Sequence, residues 1–324
     1  MAELKRIGVL TSGGDAPGMN SCIRAIVRTA LYNNLEVIGI REGFYGLVHG
    51  DMGALEARDV GGILQRGGTV LGTARSPEFH EKKGQMEAVR QLKEAGIDAL
   101  VVIGGDGSMR GAQALVELGF PVVGAPCSID NDIWGTNMAI GVDTALNTIA
   151  SAIDKLRDTA SSHRRAFLIE VMGRGCGYLA VMAGVIGGAE MVLIPEAEAT
   201  IEEVARVVQE AYKRRKTHAI VVVAEGASIK IQDLAQTLDE MDVGFTTRVT
   251  ILGHIQRGGR PTAFDRLLAT RLGVKAVEAL LDGQSDVMMA LQGRHIVGVP
   301  LDDVVSKQRE ANLEYYEMAK MLAY

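Results

Sequence analysis

Short apolar runs rich in Val, Ile and Leu alternate with longer stretches of helical periodicity along almost the whole chain. The runs Arg6–Leu10, Glu36–Ile40, Ala99–Ile103, Pro121–Ala125, Ala166–Glu170, Met191–Ile194, Ala219–Ala224 and Arg248–Leu252 read as strands. Several are apolar without a break, as parallel strands covered on both faces are. Between them, Ala145, Ile149, Ala152, Ile153 and Leu156 form one helical stripe, and Val204, Val207, Val208, Ala211 and Tyr212 form another. This alternation predicts an α/β architecture with mainly parallel sheets and ligands at the carboxyl ends of strands.

Composition narrows the class. A chain of 324 residues suggests about two domains, although no Pro/Ser-rich linker marks a boundary. With 47% hydrophobic and 23% charged residues it is an ordinary globular chain, not a disordered one. Its 34 basic and 40 acidic residues give a net charge of −6, so no broad basic face for nucleic acid is expected. The uncharged stretch Gly177–Ala189 is too short to span a bilayer. Met1–Arg6 runs straight into a strand-like segment without the apolar core of a signal peptide. Cys22, Cys127 and Cys176 are scattered and lack CxxC spacing, which argues against disulfides and a structural zinc site and for a reducing cytoplasm. The 39 glycines stand out, at about 12% against a usual ~7%. They gather where strands turn into helices, the places where α/β proteins hold phosphates.

Three strand exits carry the first half of the chemistry. Thr11-Ser-Gly-Gly-Asp-Ala-Pro-Gly18 ends in a helix start, where Gly13 and Gly14 allow a sharp turn whose N–H groups reach a ligand; a tight turn without ligand fits as well. Gly104-Gly-Asp-Gly-Ser108 sets a carboxylate and a hydroxyl at a strand tip, suited to Mg²⁺ carried on phosphate oxygens, or to a helix N-cap at Asp106. It is neither a GxxxxGK[ST] loop nor a dinucleotide fingerprint, since Arg110 stands where the third glycine belongs. Ser128-Ile-Asp-Asn-Asp132 carries two aspartates two residues apart, which an extended segment points the same way, with Ser128 on that face. Such a pair divides proton acceptance from electrostatic support; an Asx-rich turn explains the composition too.

The second half supplies cations for an anionic substrate. Arg174 lies in Met172-Gly-Arg-Gly-Cys-Gly177, Arg248 opens a strand, and His254 and Arg257 lie in Gly253-His-Ile-Gln-Arg-Gly-Gly259. A guanidinium fork suits a phosphate dianion, although exposed arginines are often only solvated. Glu225 closes the Ala219–Ala224 strand, where it can bond sugar hydroxyls or cap a turn. Lys213-Arg-Arg-Lys216 reads as a solvated helix end favoured by the dipole, and Cys127 as a small buried side chain.

Together these segments resemble those of the bacterial ATP-dependent 6-phosphofructokinases, in order and approximate spacing, over about residues 6 to 282. The resemblance implies two Rossmann-like three-layer α/β domains with the active site in the cleft between them. Residues 1–140 with about 255–304 would form the MgATP domain; 141–254 with about 305–324 would form the sugar-phosphate domain. It further implies transfer of the γ-phosphoryl group of MgATP to the 1-hydroxyl of fructose 6-phosphate by a cytoplasmic homotetramer. Asp130 is then the base and Asp132 its partner, while Gly14 and Arg174 stabilise the transferring group and Ser128 assists. Gly14, Arg75, Ser76, Gly105, Asp106, Gly107 and Ser108 fall on nucleotide positions, with Asp106 toward Mg²⁺. Ser128, Ile129, Asp130, Met172, Gly173, Arg174, Glu225, His254 and Arg257 fall on substrate positions, joined by Arg165 and Arg248 from a neighbouring subunit. Arg24, Arg28, Arg157, Gly188, Glu190, Arg214 and Lys216 match positions for an allosteric effector. The segment Ala57–Gly62 matches poorly there, so effectors are expected to act weakly or with altered preference.

Two departures from the family bear on the donor. Cys127 and Ser128 replace a common Gly-Thr pair, whereas pyrophosphate users carry an acidic residue at Gly107 and lysine at Cys127. Gly107 favours ATP. The alternatives are a pyrophosphate-dependent phosphofructokinase and a non-catalytic nucleotide-binding regulator.

Overall fold

The computed structural model describes residues 4–323. Eleven strands follow in chain order: β1 (Arg6–Ser12), β2 (Glu36–Ile40), β3 (Met52–Ala54), β4 (Ala99–Gly104), β5 (Val122–Pro126), β6 (Arg165–Val171), β7 (Met191–Leu193), β8 (Ala219–Ala224), β9 (Thr246–Ile251), β10 (Val287–Gln292) and β11 (His295–Pro300). The chain divides into two compact α/β units. The first comprises Met1–Ile129, Ile133–Thr144 and Arg257–Gln308; the second comprises Asp130–Asp132, Ala145–Gln256 and Arg309–Tyr324. These divisions fall two to four residues beyond the expected ones, and the acidic segment Asp130–Asp132 groups with the second unit.

The first unit is built on a seven-stranded sheet of order β11-β10-β5-β4-β1-β2-β3. Its five inner strands are parallel and only β3 and β11 run antiparallel. β4 and β5 are buried along their whole length, and β1 beyond its first residue. Each fully buried Val, Leu or Ile contributes about 1.5–3 kcal/mol, so these runs anchor the unit. β1 leads by the helix Met19–Tyr32 to β2 on one side, and β4 leads by the helix Asp106–Glu117 to β5 on the other. Right-handed crossovers then place the two helices on opposite faces, with the strand order reversing at β1 and β4. That reversal opens a crevice at the strands' carboxyl ends. Within the same unit the helix Ala263–Leu281 sends buried Asp265 back to accept hydrogen bonds from Gly141 N (3.0 Å), Thr144 N (2.8 Å) and Thr144 Oγ1 (2.6 Å).

The second unit holds the parallel sheet β7-β8-β6-β9. Val221, Val223, Leu168 and Leu193 of the sheet pack with Val204, Val208 and Leu234 in its core. The helix Ile201–Lys213 starts from a reciprocal cap: Glu203 N donates to Thr200 Oγ1 (3.2 Å) and Thr200 N to Glu203 Oε2 (2.9 Å). β9 departs from the expected apolar strand. It is the sheet edge, begins two residues early, and leaves Val249 and Ile251 exposed. β3 and the β10–β11 hairpin were not expected from the sequence. Among the described residues no helix is long and apolar enough to cross a membrane.

Candidate active site

The carboxyl ends of β1, β4 and β5 meet in register, Ser12 beside Gly104 and Gly104 beside Pro126. The three strand exits read from the sequence, two of them glycine-rich, therefore share one edge. Gly13 has φ +83°, and a side chain on Gly104 would run into Ser108 and the Ser12 carbonyl. At Gly104 the Ser12 carbonyl and the Ser108 side chain thus approach as closely as only glycine allows. The Ser108 hydroxyl is buried and finds no hydrogen-bond partner among the described residues, and neither does that of Ser76. Buried hydroxyls without partners are rare, and at the mouth of a parallel sheet they are positioned to meet a ligand's oxygens. Thr73 Oγ1 donates to Gly13 O (2.6 Å) and Thr11 Oγ1 to Gly72 O (2.9 Å), tying the segment that carries exposed Arg75 to the β1 exit.

Asp106 is the first residue of its helix, and the N-cap is Gly105. Its carboxylate accepts from Arg110 Nε at 2.9 Å. Ser128 lies against Gly105, and Gly107 faces open space. Gly14 sits against the Arg257 guanidinium, which donates to Asp15 O at 3.5 Å. Cys127 is turned inward: its amide donates to Gly104 O (2.8 Å), and burial pushes its thiol well above the usual range. Cys22, equally buried, is pushed up to about 12.

The acidic segment corrects one expectation. Asp130 and Asp132 do not alternate along an extended strand; they lie in a turn whose middle residue, fully buried Asn131, has φ +52°. Their directions follow from that left-handed residue and not from strand periodicity.

In the second unit β6 and β8 end side by side, with Glu225 N donating to Val171 O at 2.8 Å. Arg174 Nε donates to Glu225 Oε1 at 2.8 Å, and this bond, with the Asp130 charge adding to it, raises the guanidinium's pKa. Glu170 is held above the usual carboxylate range, chiefly by burial and then by Glu225. Gly173 takes φ +122° where Cys176 O lies 2.5 Å from the place of a Cβ. Met172 N donates to Gln256 Oε1 (3.2 Å), and Gln256 Nε2 to Gly253 O (3.0 Å), fixing the short helix Gly253–Arg257 that presents exposed His254. Gln256, fully buried inside the Gly253–Gly259 motif, was not singled out by the sequence reading.

Arg165 is not part of this edge. It opens β6, about 20 Å from the far end at ~3.3 Å per residue. Arg248 pairs with Phe167, on the face of the sheet that Arg165 shares. Arg24 and Arg28 lie on the helix Met19–Tyr32 of the first unit, where Arg28 donates to Ala57 O at 2.9 Å. In the second unit Arg157 bonds Gly187 O beside Gly188, and Lys216 pairs with buried Glu190 at 3.3 Å. His218 completes that cluster, against Arg157 Nη1 (3.1 Å) and Ser161 Oγ (2.9 Å). Arg214 caps the helix end, exposed. No group of three or more His, Cys, Asp or Glu suited to a metal ion occurs among the described residues.

The family profile described as phosphofructokinase matches residues 6–280. A protein of Thermotoga neapolitana named ATP-dependent 6-phosphofructokinase is 53% identical over 321 residues, covering 99% of this chain and all of that one. The phosphofructokinase structure from Saccharomyces cerevisiae superposes with a TM-score of 0.87 at 39% identity, over 93% of this chain and 45% of the yeast chain. A pyrophosphate-dependent phosphofructokinase from Marinobacter aquaeolei gives the same TM-score at 20% identity, over 98% and 91%, a likeness of fold alone.

Proposed function

Because the chain belongs to the phosphofructokinase family, we propose that it transfers the γ-phosphoryl group of ATP to the 1-hydroxyl of fructose 6-phosphate, in the cytoplasm. The observation that carries this reading is the glycine cradle at the adjoining ends of β1 and β4, with its buried, unpartnered Ser108 hydroxyl. Gly14, Arg75, Ser76, Gly105, Asp106, Gly107 and Ser108 hold the nucleotide. Open space beyond Gly107 suits a donor larger than pyrophosphate.

Phosphoryl transfer asks a protein chiefly for alignment and charge neutralisation. Asp130 accepts the proton of the attacking hydroxyl, with Asp132 as its electrostatic partner. Arg174, held from one side by Glu225, offers its remaining N–H donors to the transferring group, and Gly14 adds a backbone N–H. Ser128, Ile129, Met172, Gly173, Glu225, His254 and Arg257 hold the sugar phosphate. Asp106 suits Mg²⁺, which takes few protein ligands and arrives on phosphate oxygens; when bound, it neutralises charge on the nucleotide.

Arg165 and Arg248 sit away from the β6 exit, which supports their serving the site of a neighbouring subunit in a homotetramer. The Arg157–Gly188–Glu190–Lys216 cluster, with Arg24, Arg28 and Arg214, is the candidate effector site. Engagement of Arg28 by Ala57 O supports a weak effector response.

Initial rates with fructose 6-phosphate and Mg²⁺, supplying ATP or pyrophosphate, test the assignment. Fructose 1,6-bisphosphate formed with ATP alone is expected. Product with pyrophosphate would overturn the donor; no product with either would overturn the activity.

A further inference from the structure

Asn131 lies between the two site aspartates, fully buried and with φ +52°. Asparagine tolerates the left-handed region better than most residues, yet the conformation still needs holding. The Asn131 side-chain amide hydrogen-bonds the hydroxyl of Tyr178. Tyr178 is half-buried and opens the helix Tyr178–Gly187. On its ring sits the guanidinium of Arg309, 5.7 Å from the centroid, within cation–π range.

Arg309 comes from the carboxyl-terminal segment, which no motif of the sequence marks. Burial lowers its pKa, while the charges of Tyr178, Cys176 and Asp132 act in the opposite sense, so the guanidinium lies in the field of the second aspartate. Its backbone neighbourhood is clamped too. Glu196 accepts from Ala311 N (2.9 Å) and from Gly177 N (2.9 and 3.1 Å), joining the segment after Arg309 to the residue before Tyr178. All these residues belong to the second unit. A short turn with a buried centre thus receives a hydrogen bond, an aromatic ring and a cation stacked in sequence.

We propose that Asn131, Tyr178 and Arg309 form a positioning brace that fixes the turn bearing Asp130 and Asp132, with Arg309 acting through the Tyr178 ring. The inference rests on Asp130 being the base of the kinase reaction. A base must be held to a fraction of an ångström of its proton, and small misplacements cost much of the rate. The brace acts on turnover and not on substrate affinity, because none of its three members is a substrate residue.

Tyr178→Phe deletes the hydroxyl and keeps the ring under Arg309. It is expected to lower kcat roughly tenfold, leaving KM for both substrates within about twofold and Tm within about 2 °C. Arg309→Met is expected to lower kcat similarly, and Arg309→Lys, which returns a cation to the ring, to recover most of it. In an Asp130→Asn background, Tyr178→Phe should cost nothing further, since residues acting as a unit are non-additive. Wild-type kcat in Tyr178→Phe, a full further loss in the Asp130→Asn background, or equal defects in Arg309→Met and Arg309→Lys would each overturn the brace. A full rate in Asp130→Asn alone would instead overturn the assignment of the base.

Discussion

Arg174 donates through Nε to Glu225 at 2.8 Å while its side chain remains 84% exposed. Exposed ion pairs of this kind add little to stability, so the pair is better understood as orientation. One edge of the fork is used, and among the described residues the four Nη N–H donors are left to meet an anion. Glu225→Gln is therefore expected to change unfolding free energy by under about 1 kcal/mol while raising KM for fructose 6-phosphate. Arg174→Lys should lower kcat by roughly 10²–10³-fold, the scale of one lost transition-state donor. Steady-state kinetics beside urea titrations check both; a large stability loss with unchanged kinetics would count against the orientation role.

Asp130→Asn keeps the shape of the turn and removes the proton acceptor. Turnover should fall roughly 10²–10⁴-fold, with both substrates still bound, as isothermal titration can show. Loss of binding without loss of single-turnover rate would assign Asp130 to the substrate and not to the proton.

Gly107 lies in the first turn of a helix with nothing near its missing Cβ. Gly107→Asp is consequently expected to fold normally, since an acid there suits the helix dipole. A carboxylate in a space meant for a polyphosphate should nonetheless lower kcat/KM for ATP by roughly 10²-fold or more, through like-charge repulsion. Gly107→Ala is the steric control. An aspartate variant with the ATP kinetics of the parent would show that the nucleotide lies elsewhere.

Burial lowers the pKa of His218 below 6.5. Arg157 donates to Nε2, so the neutral ring carries its proton on Nδ1, toward Ser161. Because the folded value lies below the unfolded one, the stabilisation is fully present above pH 6.5. It is lost as pH falls through the lowered folded value, where a proton on Nε2 would face the Arg157 donor. Thermal melts at pH 7.5 and 5 should show a smaller acid-induced loss for His218→Gln than for the parent chain. Parallel curves would place the titration elsewhere.

The parallel sheets were legible in the chain because strands covered on both faces carry unbroken apolar runs, as β4 and β8 do. The β10–β11 hairpin was not, since Val287-Met-Met-Ala-Leu-Gln292 has one β-branched residue and its turn has a lone glycine, Gly293 at φ +60°. β9 lost its apolar pattern by lying at an edge. In the site, glycines beside acids mark turns through local chain geometry, which is why the exits of β1 and β4 could be read. Gln256, His218, Tyr178 and Arg309 act by contacts that only tertiary packing creates, and no spacing announces them. The Asp130–Asp132 pair shows the intermediate case: the chemistry was visible, but its geometry depended on one left-handed asparagine.

The order of the strands also constrains synthesis. All four strands of the smaller sheet lie within the continuous stretch from Arg165 to Ile251, so that sheet can close as soon as Ile251 has left the ribosome. The larger sheet cannot, because β5 must wait for β10, whose partners Val287 and Met288 emerge long after Val123 and Gly124. A chain made at about 5–20 residues per second thus exposes an unpaired apolar strand edge for several seconds or more. The later sheet thus closes before the earlier one, although its unit still awaits the segment from Arg309, and β5 is where a nascent-chain chaperone would be needed most.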